Sequence, residues 1–545
     1  MTSGPSYWAE PAQGPLGEHT VGSALRAAAE AAPDTVALVE GVADPLARRR
    51  WRYDELLAEA EEIARALLGR FVPGERIAVW AGNIPEWVIL EMAAALAGLT
   101  LVTVNPALRA EELRHVLGQS RVAGVFLQRV YRGRVLPETL VELRHDLPDL
   151  REVVLIDRWA AFRGSGSPTE RLPVVLADDA AQIQYTSGTT GRPKGAMLRH
   201  GAIVDNARLS YVNTFDMQPG EVSVNPMPLF HTAGCVQGTL APLISLGTHV
   251  LVPGFEPRLY LNLVESERAA QFCGVPTMLL GVLNHPDFPG ADLSSVRYAI
   301  SGGATVPADL VRQVESALKV PLAIIYAQTE ASPGITMTRL DDSPEDRATT
   351  LGRPLPGAEV KIVGPDGPDP VPHGVRGELC TRGYHVMAGY FDDPGQTAAA
   401  IDEDGWLHTG DLASMDERGY CRIEGRIKDV IIRGGENIYP REIEEVLLSH
   451  QSVANVAVLG VPDHTWGEQV AAFVQPAPGR PAPDEEELFR LVRQRLAPHK
   501  APRVWRFVEE FPMTASGKIQ KFALRDGFGA KQVSAEEVSG PPASG

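Results

Sequence analysis

Apolar positions along this chain repeat with two different periods, and the alternation between them predicts its architecture. Across residues 51–68 they fall at Leu56, Ala60, Ile63, Ala64, Leu67 and Leu68, the single stripe of an amphipathic helix. Residues 76–80 (Arg-Ile-Ala-Val-Trp) then read as a short strand, 85–99 as a helix, and 100–104 as a strand broken by Asn105-Pro106. A further helix covers 109–117. Strands alternating with helices in this way predict βαβ units around a parallel sheet, and similar alternation returns after residue 190.

The texture changes near Gly352. Residues 359–363 and 377–381 are strand-like, the Pro/Gly-rich stretch 364–374 joins them as a hairpin, and short strands continue to about residue 425. After Lys428 the pattern is mixed: a helix at 440–450 with Pro440 in its first turn, a strand at 453–461, and a helix at 484–496. Asp484 and Glu487 have the spacing of a capping box for that last helix. Residues 530–545 are small, polar and Pro/Gly-bearing, the composition of a disordered tail. No internal repeat is visible.

A chain of 545 residues exceeds what one hydrophobic core organises, so two or more domains are expected. The formal net charge of −18 argues against a general nucleic-acid binder, and the run Arg48-Arg49-Arg50 is too short to reverse it. That run reads instead as a solvated loop ahead of the helix after Trp51. The four cysteines, Cys235, Cys273, Cys380 and Cys421, have no zinc-site or redox spacing. Residues 1–20 hold no apolar signal-peptide core, and the longest apolar run, around 88–99, is interrupted by Glu91 and too short to span a bilayer. A cytoplasmic protein without a transmembrane segment is expected.

The densest chemistry lies in Thr186-Ser187-Gly188-Thr189-Thr190-Gly191-Arg192-Pro193-Lys194-Gly195, directly after the strand-like run 181–185. Glycines let backbone N–H groups approach an anion, hydroxyls add donors, and Lys194 adds charge, so the stretch reads as a phosphate loop. It is not a Walker A loop. Counting from Gly188, the second required glycine is Pro193, and the residue after the lysine is Gly195 where Ser or Thr is needed.

Further segments belong with this loop. They are Pro228-Leu229-Phe230-His231, Ser301-Gly302-Gly303-Ala304, Tyr326-Ala327-Gln328-Thr329-Glu330 and Trp406-Leu407-His408-Thr409-Gly410-Asp411. Then come Gly425-Arg426-Ile427-Lys428-Asp429, Gly434-Gly435-Glu436-Asn437-Ile438-Tyr439-Pro440 and Thr514-Ala515-Ser516-Gly517-Lys518. In this order the set resembles the adenylate-forming superfamily of acyl-CoA synthetases, adenylation domains and firefly-type luciferases, over roughly residues 20–525. Acyl-CoA synthetases are the members it is most like.

The resemblance implies an α/β fold with a large N-terminal domain, residues 1–425, whose β subdomain covers about 350–425. A hinge at 426–430, a small mobile α+β domain at 431–530 and the tail at 531–545 follow. It implies ATP and Mg2+ as cofactors and CoA as acceptor substrate. A carboxylate attacks the α-phosphate of ATP, and the CoA thiol then displaces AMP. Thr186, Ser187, Gly188, Thr189, Thr190 and Lys194 would cradle phosphates, Thr329 would meet the α-phosphate, and Glu330 would hold magnesium. Gly302, Gly303 and Ala304 would line the adenine slot, with Tyr326 stacking on the base. Asp411 and Arg426 would bind the ribose. Lys518 would bridge carboxylate and α-phosphate, so that Lys518, Glu330, Thr186 and His231 form the catalytic set. Lys428 would be the hinge. His231, Gly234, Gly302 and Ala327 would line the acyl pocket, and Gly434, Gly435 and Glu436 the CoA channel. Arg433, Arg441 and Lys500 are candidates for the CoA phosphates.

One departure is Ala327, which stands where the family motif has glycine. Small residues at Gly234, Gly302 and Gly303 are read as leaving room for a bulky acyl group. No charged residue is evident to greet an amino acid, which favours a hydrophobic carboxylic acid: fatty, aromatic or polycyclic. The alternatives are an adenylating enzyme that stops at acyl-AMP, or one that passes it to an acyl carrier protein or partner ligase. A luciferase-type oxygenase and a non-catalytic nucleotide binder fit less well.

Overall fold

The computed structural model describes residues 4–186, 193–365, 367–477, 479–513, 519–525 and 527. The expected tail at 531–545 lies outside them. The first βαβ series forms as the periodicity requires. Strands Ala180–Thr186, Thr100–Val104, Arg76–Trp80, Gly124–Leu127 and Glu152–Leu155 lie side by side in parallel, and Lys194–Arg199 and Gly389–Tyr390 extend the sheet antiparallel at one edge. The helix Tyr53–Leu68 buries Leu56, Ala60, Ile63, Ala64 and Leu67, the stripe seen in the sequence. A second parallel set, Gln271–Cys273, Tyr298–Gly302 and Leu322–Ala327, carries the Gly302 and Tyr326 motifs at its strand ends. Apolar side chains of these layers pack into one extended core.

The 350–426 region is an antiparallel sheet in which Tyr7–Ala9, Ala358–Val363, Gly377–Gly383, Leu407–Met415 and Cys421–Arg426 pair in that order. The smaller C-terminal part has its own sheet of Glu436–Ile438, Ile431–Arg433, Gly467–Pro476 and Val453–Asp463, with Val504–Phe507 joining parallel. Helices Pro440–Leu448 and Glu485–Arg495 share its apolar core. The α/β class and the division into a large N-terminal and a smaller C-terminal part are as expected. No helix among the described residues is long and apolar enough to cross a membrane.

Two local expectations fail, the first in part. Arg48-Arg49-Arg50 is only in part a solvated loop, with Arg49 and Arg50 exposed. Arg48 is buried, donating to Ser266 Oγ at 2.8 Å and Asn262 Oδ1 at 2.9 Å and pairing with Glu267. Arg50 opens the strand Arg50–Arg52 and also reaches Glu267. A three-residue window shows only charge, whereas the partners lie more than 200 residues away. The capping box is also absent: Asp484 accepts from the Glu486 N–H, while Glu487 turns to His450 at 3.1 Å.

Helix Pro85–Leu96 is buried on nearly every face, which puts Glu91 inside the core. Its Oε1 accepts from Gln182 Nε2, Gln182 Oε1 accepts from Gln184 Nε2 at 2.7 Å, and Gln184 Nε2 lies 3.0 Å from Cys235 Sγ. This polar string runs beneath the strand that ends at Thr186. Burial pushes the Glu91 carboxyl well above its ordinary range, which favours the protonated form. A carboxyl whose folded-state pKa is raised contributes stability below its unfolded pKa and loses it as pH rises towards the folded value. Thermal melts of Glu91→Gln should therefore match the parent near pH 4.5 and exceed it progressively towards pH 8. Parallel pH profiles for the two proteins would contradict a protonated Glu91.

Candidate active site

Two carboxylates mark the ends of the site, and one short segment joins them. Strand Leu322–Ala327 leaves its sheet at Tyr326, and the chain passes through Gln328 into the 3-10 turn Thr329–Ala331. At one end Asp411, 5% exposed, receives Tyr326 Oη–H at 2.7 Å and Gln328 Nε2–H at 2.9 Å on Oδ2. Its Oδ1 faces Arg426 Nε at 3.1 Å, since Asp411 and Arg426 are direct cross-strand partners. Burial and the Asp411 carboxylate push the Tyr326 hydroxyl well above its ordinary pKa, so it stays a donor.

At the other end Glu330 Oε1 accepts from Thr186 Oγ1 at 3.2 Å and from Tyr390 Oη at 2.9 Å. Thr186 pairs directly with Lys194 across the antiparallel strands Ala180–Thr186 and Lys194–Arg199. That pairing brings the two ends of the phosphate loop together. Lys194 Nζ donates to Gln396 and lies 5.0 Å from the Tyr390 ring centroid. Ser187, Gly188, Thr189 and Thr190 lie outside the described residues, as does Lys518. Met513 and Ile519, which flank residues 514–518 in the sequence, form an antiparallel bridge.

Gly302 ends the strand neighbouring Tyr326 in parallel register, and Gly303 and Ala304 form an exposed rim after it. A Cβ at Gly302 would lie 2.5 Å from the Ile325 carbonyl oxygen, and one at Gly234 only 2.1 Å from that of Pro228. These glycines therefore allow close backbone packing and do not open space for an acyl group, contrary to the reading from residue size. A Cβ built on Gly303, whose φ is +74°, would come no closer than 3.5 Å to a side chain, that of Val275. His231 is half-buried at the entry to the π-helical segment Ala233–Leu240, its Nδ1 accepting from the Ala233 N–H at 3.3 Å. Ala327 is half-buried against the main core.

Lys428 sits in the 3-10 turn Ile427–Asp429 between the two parts of the molecule. Burial first, then the Arg426 charge, lower its pKa below the ordinary lysine value. Gly434 and Gly435 are the two central residues of a hairpin, both at positive φ, with Trp466 packed on Gly434. Glu436 faces His499 at 3.1 Å. Arg433 lies over the Trp466 ring at 4.6 Å, whereas Arg441 and Lys500 are taken up locally by Glu445 and Glu442.

Sequence reading missed Gln328, Tyr390 and Gln396. Gln328 lies inside a recognised motif, so its position was in view but its role was not. Tyr390 and Gln396 come from outside every motif and reach the site only through the pairing of Tyr390 with Ala196 and the helix Pro394–Ala400.

The residues present suit a nucleotide and a hard cation. One buried carboxylate with three donors can accept ribose hydroxyls, and a hydroxyl-bonded carboxylate beside a lysine can meet a cation and phosphates. Residues 25–391 match the model of the AMP-binding enzyme family, and 442–518 match that of the AMP-binding enzyme C-terminal domain. The chain is 41% identical to the putative acyl-CoA synthetase YngI of Bacillus subtilis, over 93% of this chain and 96% of that protein. It is 35% identical to the mitochondrial medium-chain acyl-CoA ligase ACSF2 of Rattus norvegicus, over 93% and 87%. Among solved structures, ATP-bound MatB from Rhodopseudomonas palustris superposes with a TM-score of 0.85 at 28% identity, covering 94% of this chain and 99% of that one.

Gln328→Ala deletes one donor to the buried Asp411 carboxylate. A hydrogen bond to a charged group is worth about 1.5–3 kcal/mol, so ATP affinity measured by calorimetry should fall about tenfold or more. Unchanged affinity would show that Asp411 does not depend on this donor.

Proposed function

Because the chain belongs to the AMP-binding enzyme family, we propose that it joins a hydrophobic carboxylic acid to CoA through an acyl-AMP intermediate, with release of pyrophosphate. The observation that carries this reading is the 326–330 segment, which bonds to Asp411 at one end and to Thr186 at the other. A nucleotide laid along it would have its ribose at Asp411 and Arg426 and its phosphates towards Glu330, Thr186 and Lys194. Glu330 would hold Mg2+, which supplies charge neutralisation as the carboxylate meets the α-phosphate. Lys194 adds cationic charge at the phosphate end, and Lys518 is the lysine that would move between the reacting groups.

The first step joins two anions, so positioning and neutralisation supply most of the catalysis. The second needs a different face presented to the thiol, and Lys428 is the pivot for that change. Gly434, Gly435 and Glu436, beside the pivot, would line the thiol's approach. The name of the ACSF2 relative supports a medium-chain fatty acid as the preferred substrate.

Carboxylate-dependent ATP–pyrophosphate exchange across short, medium and long fatty acids and aromatic acids tests the first step. Exchange should peak with medium-chain acids, and CoA should accelerate AMP release and yield a thioester. Exchange that ignores CoA would overturn the choice of acceptor. Lys518→Ala should reduce exchange about 10²–10³-fold while still passing supplied acyl-AMP to CoA. Normal exchange in that variant would remove Lys518 from the chemistry. Lys428→Pro, which fixes φ, should spare exchange and slow thioester formation, and equal loss of both would contradict a pivot.

A further inference from the structure

Cys380 and His408 are direct partners across the antiparallel strands Gly377–Gly383 and Leu407–Met415. Glu378, two residues before Cys380, turns its carboxylate to the same imidazole. His408 Nδ1 lies 2.8 Å from Glu378 Oε2 and 3.4 Å from Cys380 Sγ, and the three ligand atoms fall within 4.8 Å of one another. None of them takes part in the nucleotide contacts described above. No other group of three such side chains converges among the described residues.

We propose that Glu378 Oε2, Cys380 Sγ and His408 Nδ1 bind one Zn2+ ion, with water completing a tetrahedral shell, separate from the cation site at Glu330. Zinc bonds of about 2.3 Å to sulfur and about 2.0–2.1 Å to nitrogen or oxygen place tetrahedral ligands roughly 3.3–3.6 Å apart. The sulfur–nitrogen distance already fits, and the nitrogen–oxygen pair has only to open by about half an ångström. A mixed sulfur, nitrogen and oxygen set favours zinc over magnesium, which takes oxygen ligands.

The surroundings are built for a fixed ligand set. Asp402 Oδ2 stands 3.6 Å from His408 Nε2, on the far side of the ring, where a carboxylate orients a metal-bound imidazole. Glu378 Oε1 accepts the Gly410 N–H at 2.9 Å, which fixes the carboxylate and leaves Oε2 for the ion. Lys361, opposite Cys380 on the next strand, is engaged elsewhere, donating to the Pro368 carbonyl and lying over Trp406. The His408 and Glu378 side chains are 33% and 21% exposed, which provides entry from solvent. The Gly410 link places this site one residue from Asp411.

The test uses the full chain stripped with a chelator, dialysed against Zn2+ for metal analysis and titrated with Co2+ for its spectrum. One zinc per chain is expected, with a near-ultraviolet thiolate-to-cobalt charge-transfer band. Cys380→Ser should abolish both, Cys421→Ser should keep both, and Asp402→Asn should weaken zinc binding about tenfold. If Cys380→Ser does not fold by circular dichroism, Glu378→Gln must weaken zinc binding by about tenfold or more instead. Absence of zinc and of the cobalt band from the parent protein overturns the proposal. So does survival of both in folded Cys380→Ser, or undiminished affinity in Glu378→Gln.

Discussion

A carboxylate that is to accept hydrogen bonds from a ligand has to be held still by donors that leave some of its lone pairs free. Asp411 meets that requirement through Tyr326, Gln328 and Arg426, which come from two different sheets. Only the guanidinium carries charge, so the ion is stabilised without being neutralised several times over. The same segment then supplies Glu330, whose Oε1 accepts from the hydroxyls of Thr186 and Tyr390 and, among the described residues, forms no ion pair. The position of the 326–330 segment sets both anchors, and the remainder of the site is arranged around it.

The overall charge of −18 disfavours a polyanionic ligand at long range, so attraction has to be local. Lys194 provides some of it at the closed end of the hairpin, where its ammonium rests on the face of Tyr390. Tyr390 thus serves twice, holding Glu330 through its hydroxyl and Lys194 through its ring. Burial and the adjacent Glu330 raise its hydroxyl pKa well above the ordinary value, which keeps the proton on the donor.

Contacts between the two parts of the molecule have a different character. Arg376 bridges Glu424 at 3.2 Å and Glu442 at 2.9 Å and lies over Tyr439, while Lys500 also reaches Glu442. The Arg376 side chain is 40% exposed, and ion pairs of that kind are worth about 0–1 kcal/mol each. Such contacts can select one arrangement and still be given up at small cost. That suits the proposed function, in which the C-terminal part would present different faces in two half-reactions. Lys428, exposed between Arg426 and Asp429, is placed where a backbone rotation would break few strong interactions.

Local periodicity and motif order were enough to read the α/β class, the antiparallel region after residue 352 and the motif residues Thr186, Tyr326, Glu330, Asp411 and Arg426 that the fold brings together. Both signals are short-range: side-chain period follows from backbone geometry, and a Gly-rich or Thr-Gly-Asp motif carries its chemistry within a few residues. What depends on contacts between distant segments was not legible. Arg48 looked solvated because Asn262, Ser266 and Glu267 are far along the chain. Gly234 and Gly302 looked like room for substrate until folding put carbonyl oxygens against them. Tyr390 became a site residue, and Cys380 met His408 and Glu378, only through strand register. Composition and spacing along the chain thus determined which chemistries were possible, while tertiary packing decided which side chains meet, because burial and pairing are properties of neighbours that sequence separation hides.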